Sequence, residues 1–375
     1  MIKQEQYFKP NYEESRAVFR SHLEKIQEKW PNASLSSEKI GNETEDNTID
    51  VIYSDALESN QQVLFFTTGE HGIEGYAGAA VTHLFVEEYL DRIDPQTTGI
   101  CLIHALNPWG MRNFRRVNEN NVDLNRNYLY NPESVSKEVN ENYAKAQELF
   151  LPNGKITDII KEKTKLYSQL TSEIMEQSYN AISEAKGMGQ YEFERGVYYG
   201  GLKEEESTQF LKTVQKKLLT TFSRVIHMDW HTALGPTNEI TMVASETDTR
   251  AEEELKSRYP LKNIQKFSPD KVKGDSTNHF HKLKKEEHPD TYLFSALFEF
   301  GTFGEDREAE RRTYTTIILE NQLYWEGAEK EEDKQWVLDE FQAMFYPKER
   351  EWRDSVLTEA QKAFEAILKV EGILN

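Results

Sequence analysis

Runs of apolar residues rich in β-branched and aromatic side chains are the feature that most limits which fold this chain can adopt. Residues 62–68 (QVLFFTT) and 99–106 (GICLIHAL) are continuous runs, whereas 48–54 (TIDVIYS) alternate between apolar and polar positions. Continuous runs of this length are typical of strands buried on both faces, and alternation is typical of a half-buried strand. A helical pattern from about Tyr76 to Leu90 separates two of the runs. The order strand, strand, helix, strand predicts an α/β fold.

The remainder of the chain extends the same pattern. Strands are predicted around 224–233 and at 293–300, and amphipathic helices at 12–30 and over the last 25 residues. Residues 131–187 are polar and rich in Lys, Glu and Gln, which is typical of a helical hairpin on the surface. Because no Pro/Gly/Ser-rich linker divides the chain, we predict a single domain over residues 1–375 that contains a helical insertion at 131–187.

Charge and cysteine content exclude several classes of function. The chain has 65 acidic and 45 basic residues, for a net charge of −20, which disfavours nucleic-acid and anionic-membrane partners. The single cysteine, Cys101, excludes an intrachain disulfide and a Cys-rich zinc site, so histidines and carboxylates must hold any metal. The sequence contains neither a signal-peptide core nor an apolar run of membrane-spanning length, and we therefore expect a cytoplasmic protein.

His71 and Glu74 follow the buried run at 62–68 directly, in the segment TTGEHGIEGYAG. Loops at the carboxyl ends of strands in an open α/β sheet are common ligand sites. The His-x-x-Glu spacing lets an imidazole and a carboxylate from one tight loop converge on a single ion. The alternative is a helix N-terminus that carries a histidine and a capping glutamate.

A second candidate segment is 107–128, NPWGMRNFRRVNENNVDLNRNY. Arg116 and Arg126 flank a dense run of asparagines, and an arginine beside an asparagine can bind a carboxylate bidentately. The alternative is a polar surface loop with Asx turns. The alternating apolar residues Val122 and Leu124 favour an ordered segment.

The third candidate segment is HMDWHTALGP at 227–236. Its His-x-x-x-His spacing does not match the helical zinc motif, because Met228 stands where that motif requires glutamate. The apolar residues before it predict a strand. We therefore take His231 as the one candidate ligand and Asp229 as a candidate partner of its ring.

In this order the segments resemble the M14 zinc metallocarboxypeptidase superfamily. The matching features are His-x-x-Glu at 71–74, Asn-Pro-x-Gly at 107–110, Arg116 followed by VNENNVDLNRN, then His231, and Glu299 in ALFEFGTFG. The closest resemblance is to the DUF2817 subgroup, because GQYEFERGVYYGG and HTALGP are similar to segments of that subgroup. The matching motifs span about 61–130 and 188–305.

The resemblance implies a zinc-carboxypeptidase-like fold, with a mixed, mostly parallel central sheet flanked by helices. It also implies that His71, Glu74 and His231 bind one zinc ion per chain and leave a fourth position open for water. Glu299 would be the general base and then protonate the leaving amine, and Arg116 would polarise the scissile carbonyl. Asn125 and Arg126 would bind a free carboxylate of the substrate.

Three functions remain open at this point. The first is a zinc hydrolase that cleaves an amide or peptide bond next to a free carboxylate of a small peptide. The second is an N-acyl amino acid deacylase, similar to the aspartoacylase and succinylglutamate desuccinylase branch of the superfamily. The third is a zinc-binding protein without turnover, which the presence of Glu299 and Arg116 disfavours. The oligomeric state and the substrate side chain are not indicated.

Two departures from the family pattern affect the expected site. Asn121 stands where many members have glycine, which asparagine can replace if the backbone there has a positive φ. Many family carboxypeptidases also carry a mobile tyrosine between the third ligand and the catalytic glutamate. No tyrosine lies between Tyr259 and Tyr292 here, so the identity of a substrate-clamping tyrosine is open.

Overall fold

The computed structural model describes residues 6–41, 44–128, 140–267 and 274–374. Within these residues eight strands form one sheet in the order β1–β2–β4–β3–β5–β8–β6–β7. The strands are β1 (Ser34–Lys39), β2 (Thr48–Ser54), β3 (Gln62–Thr68), β4 (Thr98–His104), β5 (Arg224–Ala233), β6 (Ile240–Ala244), β7 (Asn263–Lys266) and β8 (Tyr292–Gly301).

The centre of the sheet is parallel and its flanks are mixed. Strands β4, β3, β5 and β8 run parallel to one another, and β6 pairs parallel with β7. The pairings β1–β2, β2–β4 and β6–β8 are antiparallel. The prediction of an α/β fold with a mixed, mostly parallel sheet is therefore confirmed.

Helices surround the sheet. They are α1 (Tyr12–Gln27), α2 (Gly75–Glu88), α3 (Pro108–Arg112), α4 (Glu141–Lys145), α5 (Gln147–Phe150), α6 (Ile159–Gln177), α7 (Tyr179–Gly187), α8 (Glu206–Thr221), α9 (Glu252–Arg258), α10 (Ser276–Glu287), α11 (Arg307–Glu326), α12 (Glu331–Phe345) and α13 (Arg350–Ala363). Among the described residues, no helix has the length and apolar character needed to span a membrane. The cytoplasmic location stays a prediction.

Side chains of β3 show how both faces of the sheet are covered. Leu64 and Phe66 belong to the larger core cluster, which also includes residues of α1, α2, α12 and α13. Val63 and Phe65 point the other way, into a second cluster with residues of α8 and α10. This two-sided burial explains why the strand is a continuous apolar run.

Several element boundaries differ from the prediction. The helix predicted at 12–30 ends at Gln27, and the one predicted from Tyr76 to Leu90 is α2, which begins at Gly75. The segment predicted to be a helical hairpin instead contains four helices, α4 to α7, in its described part, and residues 131–139 lie outside the described residues. The assignment of one domain with an insertion stays a prediction.

Candidate metal centre

The loop after β3 is held against the loop after α3. Gly72 N donates to Arg116 O at 3.1 Å, which docks the two backbones together. A Cβ atom at Gly72 would lie 2.1 Å from the carbonyl carbon of Gly110, so only glycine fits this approach. The turn that follows, Gly72–Glu74, is a short 3₁₀ helix. This packing fixes the spacing of His71 and Glu74.

His71, Glu74 and His231 converge at the carboxyl ends of the parallel strands. His71 Nδ1 lies 2.8 Å from Glu74 Oε1, and His231 Nδ1 lies 3.2 Å from Glu74 Oε2. One ligand atom from each of the three residues lies within 4.8 Å of the others, and all three side chains are buried. The group can therefore hold a metal ion, and it is the same set of three residues that the sequence predicts as ligands.

The second nitrogen of each imidazole faces an aspartate. His71 Nε2 lies 3.1 Å from Asp123 Oδ1, and His231 Nε2 lies 3.1 Å from Asp229 Oδ2. Asp229 in turn accepts a hydrogen bond from Thr67 Oγ1 at 2.6 Å. Metal-binding histidines in proteins usually make such a contact with a carboxylate, which fixes the ring orientation. This arrangement, in which both Nδ1 atoms face Glu74 and each Nε2 atom faces its own aspartate, fits a metal site.

Glu74 is ionised in this environment. Burial alone would raise the pKa of Glu74, but the charge of His71 and the hydrogen bonds from His231 and His71 lower that pKa to about 2. A carboxylate that keeps its charge at such a buried position is suited to bind a cation.

Glu299 lies beside the candidate ligands because of the strand register. On the parallel strands β5 and β8, His231 is the partner of Glu299. The Glu299 side chain is buried, and its Oε2 accepts a hydrogen bond from Leu234 N at 3.4 Å. Burial and, to a smaller extent, the nearby charge of Glu74 raise the pKa of Glu299 to about 8, although His231 and Arg116 oppose the shift.

Arg116 is connected to the ligand group through Asp123. The Arg116 guanidinium forms a close ion pair with Asp123, whose other oxygen contacts the His71 ring. Its Cζ atom also lies 5.7 Å from the centre of the Tyr198 ring. The pKa of Asp123, which burial alone would raise, is held well below its usual range by Arg116, Arg126 and His71.

Asn125 and Arg126 lie on a 3₁₀ turn that follows Asp123. Arg126 Nη1 donates to Asn125 O at 2.6 Å, and Arg126 Nε is buried without a hydrogen-bond partner among the described residues. Asn125 Oδ1 accepts a hydrogen bond from Ser276 N at 3.2 Å. The hydrogen bond to Asn125 O thus holds the Arg126 side chain, and its Nε atom can still donate a hydrogen bond to a ligand.

Sequence reasoning missed some residues of this site. The sequence assigns no role to Asp123, which lies in a polar run. Tyr198 is part of the segment GQYEFERGVYYGG, which resembles the DUF2817 subgroup, but it also has no assigned role. The Tyr198 hydroxyl is buried and, among the residues that the structure describes, has no hydrogen-bond partner. Asn121 has a φ of +59°, as its replacement of glycine requires, and its amide donates to Glu194 O and Gly196 O.

Comparison with known proteins gives one family and several solved structures. A family model described as "Protein of unknown function (DUF2817)" matches residues 8–359. A search of curated proteins finds no match.

The chain is similar in structure to bovine thrombin-activatable fibrinolysis inhibitor in complex with tick carboxypeptidase inhibitor, with 13% identity, 84% of this chain and 96% of that chain covered, and a TM-score of 0.45. It is also similar to carboxypeptidase A from Helicoverpa armigera, with 11% identity, 94% and 73% covered, and a TM-score of 0.43. At these TM-scores the likeness has no bearing on function.

Proposed function

The chain belongs to the DUF2817 family, and from this premise we propose that it is a zinc-dependent hydrolase that cleaves an amide bond next to a free carboxylate. One observation carries the proposal: three buried donors, His71, Glu74 and His231, converge beside Glu299 and Arg116. A structural metal site would need neither an adjacent buried carboxylate nor an adjacent arginine.

Zinc is the metal that suits this donor set best. Two imidazoles and one carboxylate, with a position left for water, form a common catalytic zinc site in hydrolases. Zinc, when bound, supplies Lewis acidity. The carboxylates of Asp123 and Asp229 keep each imidazole oriented with Nδ1 toward Glu74.

Glu299 is the proposed proton carrier. Its carboxylate is buried on the strand next to His231, so it can accept a proton from the attacking water and deliver it to the leaving nitrogen. Arg116 is the proposed donor to the scissile carbonyl oxygen, where negative charge develops. Its ion pair with Asp123 holds the guanidinium beside the ligand group.

Asn125 and Arg126 are the proposed binding residues for the free carboxylate of the substrate. Arg126 Nε, which is buried and unbonded within the described part of the chain, is a donor available for that carboxylate. Small peptides and N-acyl amino acids both present such a carboxylate next to an amide bond. The proposed hydrolase can therefore be a carboxypeptidase or a deacylase.

The first experiment measures metal content by mass spectrometry on the wild type, His71→Ala and Glu299→Gln. We expect about one zinc per chain in the wild type and in Glu299→Gln, and loss of zinc in His71→Ala. Hydrolysis is then measured for two series of compounds, benzoyl-glycyl amino acids and N-acetyl amino acids. The series that the protein hydrolyses faster identifies the substrate class. We expect activity in the wild type and its loss, by at least about 100-fold, in Glu299→Gln.

Three results would contradict the proposal. A wild type that takes up no zinc on reconstitution would exclude the metal site. A zinc-loaded wild type that hydrolyses neither series, or a Glu299→Gln variant that stays fully active, would leave a zinc-binding protein without the proposed chemistry.

A further inference from the structure

Lys186 is a cation at the candidate site that the proposed reaction does not use. It lies near the end of α7 and is partly buried, and its Nζ atom is 5.2 Å from the centre of the Tyr314 ring. Among the described residues, none forms an ion pair or hydrogen bond with this ammonium group, which lies over the Tyr314 ring.

A chain of ring contacts connects Lys186 to the candidate site. The Phe150 ring centre lies 6.4 Å from the ring centres of both Tyr314 and Tyr198. The Tyr198 ring lies 5.7 Å from the Arg116 guanidinium. Lys186 and Arg116 therefore flank the same aromatic cluster, in which the buried Tyr198 hydroxyl has no hydrogen-bond partner within the described ranges.

The segment after α7 also packs on Arg126. A Cβ atom at Gly189 would lie 2.9 Å from Arg126 Cδ, and Tyr191 donates a hydrogen bond to Arg126 O at 2.6 Å. Asn140 donates to Ala185 O at 2.9 Å and to Gly189 O at 2.6 Å, so this end of α7 is fixed. Lys186 is thus held close to Arg126.

The charges around Lys186 are mostly positive. Burial and the charges of Arg116 and Arg126 together lower the pKa of Lys186 to about 8, whereas Glu299 opposes them. A partly desolvated ammonium group beside two guanidinium groups is unfavourable without an anion. An anionic ligand that binds between these cations would relieve this cost.

We propose that Lys186 binds a second carboxylate on the substrate, namely the acidic side chain of the residue whose own carboxylate Arg126 binds. The inference rests on the proposed function and specifies its substrate class as amides of glutamate or aspartate. Both the peptide and the N-acyl amino acid series contain such substrates, so the inference is independent of the choice between them.

The direct test measures binding without hydrolysis. Glutarate and pentanoate have five-carbon chains with two and one carboxylates, and their dissociation constants are measured by calorimetry on the zinc-loaded protein. We expect the wild type to bind glutarate at least about tenfold more tightly than pentanoate, as a charge-assisted contact allows. Lys186→Met should bind the two ligands about equally, with the pentanoate affinity unchanged.

Two further variants complete this test. Lys186→Arg keeps the charge and should retain most of the preference for glutarate. Lys165→Met removes an exposed lysine from the neighbouring helix α6 and should behave as the wild type. A wild type without preference for glutarate, or a Lys186→Met variant that weakens both ligands equally, would overturn the proposal.

Kinetics then separates this inference from the proposed function. Benzoyl-Gly-Glu and benzoyl-Gly-Gln differ only in the charge of the leaving residue. We expect Lys186→Met to raise KM for the glutamate substrate at least about tenfold and to leave both constants for the glutamine substrate unchanged. If glutarate binds as expected but neither compound is hydrolysed, the proposed function fails and the anion site stands. If hydrolysis is intact but Lys186→Met does not discriminate, the anion site fails.

Discussion

At the scale of single residues, Asp123 joins the two parts of the candidate site. One of its oxygens contacts the His71 ring and the other pairs with Arg116, so one carboxylate orients both a candidate ligand and a candidate oxyanion donor. Asp123 is fully buried and is itself held by the N–H of Asn125 at 3.2 Å. Its side chain is therefore as well fixed as the groups that it positions.

Replacing Asp123 by asparagine tests this role. Asn keeps the size of the side chain but removes the charge, so the His71 ring loses its anionic partner and Arg116 loses its ion pair. We expect zinc affinity to fall about 10–100-fold, measured by competition with a chromophoric chelator. Asp91→Asn, at an exposed position far from the ligands, is the control and should keep wild-type affinity. An unchanged affinity in Asp123→Asn would contradict the assigned role.

The sequence indicated the candidate ligands and Asp229 as the partner of the His231 ring, but it gave no role to Asp123 or Lys186. His71, Glu74 and His231 were predictable as a candidate set because the ordered motifs of the chain resemble those of the M14 superfamily, and the structure brings the three side chains together. Asp123 and Lys186 were not, because an aspartate or lysine gains its role only from the partner that the fold brings to it. Asp123 lies 52 residues from His71 in the chain.

At the scale of elements, the buried strands of seven or more residues were predictable, whereas the buried five-residue strand β6 was missed. The predicted strands at 48–54 and 62–68 have the bounds of β2 and β3. The edge strands β1 (SLSSEK) and β7 (NIQK) were missed, because an exposed strand carries polar residues without an apolar pattern. Helices α11 and α12 were also missed.

The loop between β3 and α2 depends on a close approach of two backbones at Gly72. A methyl group there would lie 2.1 Å from Gly110 C and 2.2 Å from Met111 N, so the loops must separate. We expect Gly72→Ala to lower the free energy of unfolding by about 3 kcal/mol, as for overpacked cores, and to weaken zinc binding. Urea denaturation and zinc titration measure the two effects.

Gly75→Ala is the matched control in the same segment. Its Cβ would meet the Met111 Sδ atom at 3.0 Å, at the flexible end of a side chain, and the Gly69 Cα atom at 3.1 Å. We expect a clearly smaller loss of stability and zinc affinity close to that of the wild type. Equal effects of the two substitutions would show that the close approach at Gly72 does not position the ligands.

At the scale of the whole molecule, several histidines that are not candidate ligands are buried. Burial lowers the pKa of His22 to about 3 and those of His104 and His227 to about 4. His227 is bound on both sides, with Nε2 2.8 Å from Thr67 Oγ1 and Nδ1 2.8 Å from Ser295 Oγ. These rings are neutral in the folded protein and become charged on unfolding in acid.

The sign of the resulting pH dependence follows from linkage. A histidine whose pKa is lower in the folded state makes its full contribution to the free energy of unfolding when the pH is above its unfolded pKa of about 6.5. This contribution is lost as the pH falls towards the folded pKa. For His227, with a folded pKa of about 4, the loss between pH 7 and pH 4.5 is about 2–3 kcal/mol. The metal-free wild type should therefore lose more stability over this range than His227→Gln, by about that amount, in urea denaturation. The same loss of stability in both proteins would contradict the low pKa of His227 in the folded state.

The order of the candidate ligands along the chain has a consequence for maturation. His231 lies 157 residues after Glu74, so the three candidate ligands come together only after β3 and β5 have paired, and Glu299 joins them when β8 pairs with β5. A nascent chain or proteolytic fragment that ends before β5 lacks one ligand and cannot retain the ion. If the proposed ion binds, it can do so only after these two strands have paired. An ion at 1,000 times its dissociation constant would add about 4 kcal/mol to the stability of correctly assembled chains alone. A chain that carries the proposed ion must therefore have paired β3 with β5, whereas a folded chain can still lack the ion.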